Sequence, residues 1–171
     1  FLCTGRMLPV AISHSRHIRV LNLCVDFETP HISQVTVTAN SQEEGIRFKP
    51  SDEVKWRINA DGRFEAYGPG WDLTYNTGIA FDGEHRYIVP QTSDLWIDMN
   101  ACRTTADGEV WAPNWKNERL KPGTRVALRS YHRPAPAFAV NETEGLDIRN
   151  VNVYYAEGMG IVAQRSADIH L

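Results

Sequence analysis

The chain has 171 residues, of which 42% are hydrophobic and 23% are charged, and its formal net charge is −3. This composition is typical of a globular protein and excludes a disordered chain. The slight negative charge gives no basis for binding nucleic acid or an anionic membrane, and no apolar run approaches the roughly 20 residues of a membrane span. The three cysteines, Cys3, Cys24 and Cys102, are too few and too scattered for a disulfide framework, although one bridge is compatible with their number.

The first predicted element is a pair of short strands in residues 11–25, which read AISHSRHIRVLNLCV, and its pattern returns late in the chain. Residues 139–153, AVNETEGLDIRNVNV, match it at an offset of 128, and residues 162–171, VAQRSADIHL, match the second copy at an offset of 23. A period of roughly 20–50 residues is typical of stacked repeat units. The alternative is that short aliphatic matches of this kind arise by coincidence in a β-rich chain.

Each complete copy reads as apolar-x-apolar, then asparagine, then apolar-x-apolar. Ile18 falls on Leu146, Asn22 falls on Asn150, and Leu146 in turn falls on Ile169. This pattern predicts two short strands separated by a corner. Such strands bury their inner faces when parallel coils share one aliphatic column, and the corner asparagines can then hydrogen-bond in a ladder. The sequence therefore predicts a parallel β-helix with Ile18 and Leu146 on adjoining layers.

Between the first two copies lie about 105 residues more than one rung needs, roughly from Pro30 to Pro134. Apolar and polar residues alternate there, with the apolar positions at Val35 and Val37, at Val54, Trp56 and Ile58, and at Leu95, Ile97 and Met99. Hairpin turns are predicted at Asp61-Gly62, Asp82-Gly83, Asp107-Gly108 and Lys121-Pro122-Gly123. Short antiparallel strands joined by tight turns indicate a small barrel or sandwich.

The chain is therefore predicted to be all-β, with right-handed parallel β-helix coils interrupted by an inserted antiparallel β-barrel-like domain. Residues 1–30 are predicted to form a β-helix coil, and residues 31–133 the inserted barrel or sandwich domain. Residues 134–171 are predicted to form further β-helix coils. Because Leu171 falls in the middle of a rung, we expect the coils to continue beyond it.

Three of the five tryptophans lie beside glycine or proline, Trp71 in GPGWD and both Trp111 and Trp115 in VWAPNW. Glycine and proline indicate loops, and exposed loop tryptophans can stack on the apolar faces of sugars. We therefore predict Trp71 and Trp115 as substrate-binding residues. The alternative is that these rings cap the core of the inserted domain.

Motifs for other chemistry are weak. His14 and His17 have a spacing that metal sites sometimes use, but no third ligand is near them in the sequence, so we predict a solvated turn and no metal site. A glycosidase needs two carboxyl groups, one on each side of the scissile bond. Nothing selects one pair, so the catalytic residues stay unassigned among the seven acids of the predicted coils: Asp26, Glu28, Glu142, Glu144, Asp147, Glu157 and Asp168.

Three segments together resemble the α-1,3-galactosidases of glycoside hydrolase family 110. They read LPVAISHSRHIRVLNLCVDFETP, RSYHRPAPAFAV and GLDIRNVNVYYAEGMGIVAQRSADIHL, and the most similar part is GMGIVAQRS, from Gly158 to Ser166. The resemblance covers essentially the whole chain and is looser in the insert. It implies a β-helix interrupted by a β-barrel and a bacterial exo-enzyme that acts with inversion. Its substrate would be a glycan with terminal α-1,3-linked galactose, such as the blood group B antigen, and no organic cofactor is implied.

The resemblance also bears on the site. The aspartate-rich catalytic segments of the family lie in coils after the point where this chain ends, so no catalytic residue is carried over and the chain alone is expected to be inactive. Gln164 and Arg165 are implied to lie close to the sugar, although the strand rule places Ala163 inside and Gln164 outside. A secreted or periplasmic protein is implied, with a glycan as its partner; no nucleic acid and no membrane span are expected. The sequence carries no signal for an oligomeric state.

Three other functions fit the same predicted architecture. The first is a non-catalytic carbohydrate-binding β-domain that grips glycans through its tryptophans. The second is a polysaccharide lyase, although no cluster of aspartate and asparagine resembles a calcium loop. The third is a structural β-helix, against which the large insert argues.

Overall fold

A computed structural model describes residues 1–132 and 135–171, and its regular secondary structure there consists of β-strands alone. The all-β prediction is therefore confirmed. Within the same two ranges no helix has the length and apolar character that crossing a membrane requires. The predicted start of the returning coils at Pro134 lies outside the described residues.

The strands in chain order are β1 (Leu2–Cys3), β2 (Val10–Ser13), β3 (Arg16–Phe27), β4 (Ser33–Ser41), β5 (Gly45–Pro50), β6 (Trp56–Ile58), β7 (Phe64–Gly68), β8 (Trp71–Thr74), β9 (Thr77–Phe81), β10 (Leu95–Trp96), β11 (Arg103–Thr104), β12 (Val110–Ala112), β13 (Arg125–Arg129), β14 (Phe138–Asn141), β15 (Glu144–Val153), β16 (Ile161–Gln164) and β17 (Ala167–His170).

The chain forms two compact units. One consists of Phe1–Pro30 together with His132–Leu171, and we call it the layered unit. The other consists of His31–Tyr131, and we call it the antiparallel unit. Each has its own cluster of buried apolar side chains.

The layered unit consists of two parallel sheets, one in the order β1-β3-β15-β17 and the other in the order β16-β14-β2. In the first sheet Ile18 lies opposite Leu146, and Leu146 lies opposite Ile169. The predicted register of the three sequence copies is therefore confirmed. The description of these layers as coils of a right-handed β-helix stays a prediction.

Aliphatic side chains fill the space between these layers. Leu146 is fully buried, and burying one such side chain stabilises the fold by about 1.5–3 kcal/mol. Val25 and Phe138 are equally buried in the same cluster, and Ile18 packs against it. The short strands are thus held by a core that is shared between layers 128 positions apart in the chain.

The corner asparagines form the predicted ladder. Nδ2 of Asn150 donates a hydrogen bond of 2.7 Å to Oδ1 of Asn22. Both residues have left-handed backbone conformations, with φ of 51° and 55°. Asparagine tolerates this region better than most residues, because its short amide can bond locally. The prediction from the asparagine register is confirmed.

The antiparallel unit contains a seven-stranded sheet in the order β10-β9-β13-β4-β5-β12-β11 and a three-stranded sheet in the order β6-β7-β8. Neighbouring strands in both sheets run antiparallel. Val35 and Val37 are buried while Thr36 and Thr38 are partly exposed, as the alternation predicts. The antiparallel strands predicted for the insert are confirmed.

Two buried polar side chains in this unit have raised pKa values. Burial raises the pKa of Tyr75 to about 12, against the opposing effect of the hydrogen bond that Ser33 donates to its hydroxyl over 2.8 Å. Burial also raises the pKa of Cys102 to about 11, so this thiol stays protonated at neutral pH. Cys3, Cys24 and Cys102 are all free thiols, and no pair of them forms the bridge that their number allowed.

Candidate functional site

The layered unit repeats a left-handed backbone corner in three of its layers. His14, Glu142 and Arg165 follow β2, β14 and β16, and their φ angles are 50°, 50° and 49°. They are separated by the offsets of 128 and 23 residues that relate the sequence copies, so they stack as one column, which we call the charged column. A second column of positive φ, three residues further along, consists of His17, Gly145 and Asp168. The repeat therefore fixes the backbone of the corner as well as the core.

The side chains of the charged column alternate in charge. Oε2 of Glu142 lies 2.7 Å from Nε2 of His14, and its Oε1 lies 3.0 Å from a terminal guanidinium nitrogen of Arg165. The same arginine nitrogen is 3.3 Å from Oδ1 of Asn141. Since these side chains are well exposed, each ion pair is worth only about 0–1 kcal/mol. Their main effect is to hold the Arg165 guanidinium over the preceding layer.

Gln164 lies at the end of β16, opposite Asn141 of β14. Its backbone carbonyl accepts hydrogen bonds from the Glu142 amide at 3.1 Å and from the Ser166 hydroxyl at 2.8 Å. The Gln164 side chain is exposed, but Ala163, which the strand rule placed inside, is exposed as well, so the expected inside position of Ala163 is wrong. The structure thus brings Gln164 and Arg165 together at one exposed corner, and their contact with a sugar stays a prediction.

Glu142 is the partner of Arg165 that our sequence reasoning did not single out. It was one of seven acids with no basis for choice, yet the repeat period of 23 places it directly next to Arg165 in the column. Within residues 1–132 and 135–171, four of the seven acids form ion pairs with basic side chains: Glu142, Glu144, Asp147 and Glu157. Glu157 is the most buried of them, and its Oε2 lies 3.0 Å from Nε of Arg6. These pairings are typical of acids that stabilise a fold.

The tryptophans selected from the sequence are not on the surface, which corrects the exposure we expected for them. Trp115 is 1% exposed and packs edge-to-face against Phe48, with ring centroids 5.8 Å apart. Trp71 is 7% exposed and meets His31 in a similar way at 4.6 Å. Both rings belong to the core of the antiparallel unit, the alternative that the sequence left open. Burial removes the free ring faces on which their predicted sugar contact rested.

Glycine next to Trp71 has a different role from the one we inferred. A Cβ on Gly68 would lie 2.5 Å from Nε1 of Trp71, so the glycine makes room for the indole to lie against the backbone. Trp111 is half-buried, and its indole N–H donates a 2.7 Å hydrogen bond to the carbonyl of Glu44. Of the two glycines near Trp71, Gly68 thus allows close packing, whereas Gly70 lies in an exposed turn with no atom within 4 Å of an added Cβ.

An exposed aromatic pair lies elsewhere on the antiparallel unit. Trp96 is 70% exposed and Tyr131 is 60% exposed, and their rings stack with centroids 5.8 Å apart and planes inclined by 22°. Arg129 and Asp94, whose side chains are joined by an ion pair of 2.5 Å, are neighbours of the two aromatic residues in sequence. The signal was present in the sequence, because alternation with buried Leu95 places Trp96 on the outer face.

No organised metal centre is evident in the parts of the chain that the structure describes, where no three His, Cys, Asp or Glu side chains are grouped closely enough to hold an ion. His14 is paired with Glu142 in the charged column. His17 occupies the second column, where a Cβ on Gly145 would lie 3.1 Å from its Nδ1. Both histidines serve the stacking of layers.

Comparison with known proteins identifies a family model that matches the antiparallel unit. Residues 33–126, more than half of the chain, match the family described as GLAA-B beta-barrel domain I. The chain belongs to this family. The GLAA-B barrel domain includes β4 to β12 and the start of β13. The predicted barrel-like character of the antiparallel strands is thereby confirmed.

The chain as a whole is similar to proteins named Alpha-1,3-galactosidase B. It is 47% identical over 171 residues to one from Phocaeicola vulgatus, which is 100% of this chain and 28% of the relative. It is 42% identical over 171 residues to one from Bacteroides fragilis, again 100% of this chain and 29% of the relative. A relative from Akkermansia muciniphila is 27% identical over 173 residues, which is 100% of this chain and 21% of the relative. The GLAA-B barrel domain and its flanking layers therefore span less than a third of these relatives, and the resemblance to α-1,3-galactosidases is confirmed.

Proposed function

We propose that this chain is a segment of an exo-acting, inverting α-1,3-galactosidase that removes terminal α-linked galactose from glycans of the blood group B type. The observation that carries the proposal is the 47% identity over all 171 residues to a protein named Alpha-1,3-galactosidase B. A match that runs through both units without interruption supports a shared architecture and not only a shared barrel. The bacterial relatives also support a secreted or periplasmic location.

The proposal includes an architecture. The layers of parallel strands are coils of a right-handed β-helix, residues 31–133 are a domain inserted between two coils, and residues 134–171 resume the helix. The parallel register of β3, β15 and β17 supports this description. In the longer protein, further coils would carry the remaining parts of the active site.

In this proposal the catalytic pair belongs to later coils. One carboxylic acid protonates the departing glycosidic oxygen, and one carboxylate activates water on the opposite face of the sugar. Gln164 and Arg165 would form part of the wall of the sugar site through their amide and guanidinium groups. Glu142 would act as a positioning residue, since it holds the Arg165 guanidinium at 3.0 Å.

The 171-residue chain is expected to release no p-nitrophenol from p-nitrophenyl α-galactoside above a buffer blank. The physical reason is that hydrolysis with inversion needs two suitably spaced carboxyl groups, and the proposal places them in later coils. The complete Phocaeicola vulgatus relative serves as the positive control in the same assay. Turnover by the chain itself would show that it carries a working pair and would contradict this part of the proposal.

A second candidate function is binding of carbohydrate by the antiparallel unit without catalysis. The observation that favours it is the exposed, stacked pair of Trp96 and Tyr131. Aromatic rings with an open face bind the apolar face of a sugar, and neighbouring polar groups orient its hydroxyls. Asp94 and Arg129 are suitable groups for that purpose.

Titration with galactose is expected to quench the tryptophan fluorescence of the chain, and Trp96→Ala is expected to remove the response. Aromatic contacts of this kind contribute about 0.5–1.5 kcal/mol beyond the buried area, so binding in the millimolar range is anticipated. Trp56→Ala is a suitable control, because its ring is half-buried against Phe64 and distant in sequence from the pair. An unchanged response in Trp96→Ala would remove this candidate.

A further inference from the structure

The antiparallel unit has a cleft of about 790 Å³ between two of its turns. One turn follows β9 and begins with Asp82 and Gly83, and the other precedes β13 and includes Lys121 and Gly123. A Cβ on Gly83 would overlap with the carbonyl oxygen of Gly123, so the two turns meet backbone against backbone. This contact fixes the walls relative to each other, and the volume is within the range of about 300–1,000 Å³ that is usual for ligand sites.

Three cationic side chains line the cleft. Lys121 and Arg125 are exposed, and neither forms an ion pair with another residue that the structure describes. Arg119 is held in place, since a terminal nitrogen donates a hydrogen bond of 2.6 Å to Oε1 of Gln91. Its other terminal nitrogen lies 3.8 Å from a carboxylate oxygen of Glu118. Two of the three cations are therefore available to a ligand.

The two acids of the cleft do not offset these cations equally. Oδ1 of Asp82 accepts hydrogen bonds from the backbone amides of Glu84 at 3.0 Å and His85 at 2.7 Å, and it also contacts the imidazole of His85. These bonds, with that of the His85 amide foremost, lower the pKa of Asp82. The Asp82 carboxylate therefore stabilises the turn through these hydrogen bonds. Glu84 is the second acidic residue that lines the cleft. Tyr87, which is 55% exposed, adds an aromatic ring that stacks on the imidazole of His85 with centroids 5.9 Å apart.

Two residues with strained backbone conformations flank the segment 87–90 that lines the cleft. Arg86 and Gln91 both have φ of 62°, a left-handed conformation that non-glycine residues seldom adopt. Glycine would occupy these positions without that cost. The Gln91 amide orients Arg119, and Arg86 lines a smaller hollow beside Arg125. The same backbone conformation occurs at the layer corners of the other unit, so the case for the cleft rests on what these side chains contact and not on the strain alone.

We propose that this cleft binds the anionic group of an acidic glycan, a sulfate ester or a carboxylate carried on a sugar ring. Lys121 and Arg125 contact the anion, Arg119 contributes from the wall, and the sugar ring lies against Tyr87. The choice of a sugar as the carrier rests on the proposed function, while the choice of an anion rests on the charges of the cleft alone. Because the whole chain has a formal charge of −3, the attraction arises from this local group of cations and not from the net charge of the chain.

The experiment titrates the 171-residue chain with galactose 6-sulfate and with glucuronic acid, following backbone amide shifts by NMR. Neutral galactose and inorganic sulfate are the comparison ligands. Both acidic sugars are expected to shift the amides of residues 82–90 and 119–125, and affinity is expected to fall as salt is added, because exposed charges are screened. The two acidic sugars distinguish the ester from the carboxylate. Equal shifts of these two segments with neutral galactose, or sulfate alone binding as tightly as the sulfated sugar, would overturn the proposal.

Variants test the named cations. Lys121→Ala with Arg125→Ala is expected to weaken the binding of the preferred acidic sugar about tenfold or more, since charge-assisted hydrogen bonds are the strong ones. Lys121→Gln, a change confined to an exposed turn, gives the same direction if the double variant is poorly folded. Lys55→Ala removes an exposed charge of the same unit outside the cleft and should leave binding unchanged. Loss in the control, or none in the cleft variants, refutes the assignment, and neither result depends on whether a longer protein hydrolyses galactosides.

Discussion

Replacing Trp115 by alanine is expected to destabilise the antiparallel unit by about 3–5 kcal/mol, the usual cost of removing a large buried aromatic side chain. The ring is 1% exposed and lies against Phe48, so alanine leaves a cavity that its neighbours fill only in part. Urea denaturation followed by tryptophan fluorescence measures the loss. A variant with unchanged stability but weaker binding of galactose would return Trp115 to the role of a sugar platform.

Two matched variants separate packing from other effects of the change. Trp115→Phe is expected to cost only about 1–2 kcal/mol, because the indole N–H has no hydrogen-bond partner among the described residues and its removal strands no acceptor. Trp96→Ala is expected to change the free energy of unfolding by no more than about 0.5 kcal/mol, since that ring is 70% exposed. A large loss in Trp96→Ala would mean that the exposed pair is structural.

Replacing Gly45 by alanine is expected to destabilise the same unit by about 3–5 kcal/mol, through backbone strain and overpacking together. Gly45 has φ of +95°, where a side chain is strained, and its Cβ would overlap with the carbonyl oxygen of Ala112. The same Cβ would lie 2.7 Å from the carbonyl oxygen of Pro113 and 2.8 Å from its Cα. Because these are backbone atoms, no rotamer change relieves the contact.

The matched control is Gly108→Ala, where φ is +77° and no atom lies within 4 Å of the added Cβ. This variant carries only the conformational cost of about 1–2 kcal/mol. Thermal unfolding followed by circular dichroism ranks the two variants against the parent chain. Equal destabilisation would show that the close approach of Gly45 to β12 does not matter and that its φ angle accounts for the whole effect.

The features that the sequence predicted well are those written into a repeat or an alternation. The offset of 128 predicted the pairing of Ile18 with Leu146 and the hydrogen bond between Asn22 and Asn150, because residues at equivalent positions of successive layers lie next to each other. The turn at Asp61-Gly62 was also accessible, since Gly62 has the positive φ that such dipeptides supply.

The candidate site was harder to predict, for reasons that differ between residues. Trp71 was misplaced because its glycine neighbours were taken as a sign of exposure, whereas Gly68 gives the indole space to pack. Trp96 was missed because its alternation was used only to identify a strand and not to ask which face it occupies. Both turns that line the cleft beside Lys121 and Arg125 were predicted. The contact between Gly83 and Gly123 was not, because it joins positions 40 residues apart and no local sequence pattern indicates it.

The pairing of β3 with β15 has a consequence for the order in which the two units fold during synthesis. These strands are separated by the complete antiparallel unit, which is continuous in sequence and has its own core. During synthesis β3 cannot pair with β15 until β15 has left the ribosome, whereas His31–Tyr131 can fold before that point. The edge of β3 that later pairs with β15 is therefore exposed to incorrect pairing while more than a hundred codons are translated. Arg16 and Arg19 at the start of β3 oppose aggregation during that time, because charged side chains disfavour edge-to-edge pairing.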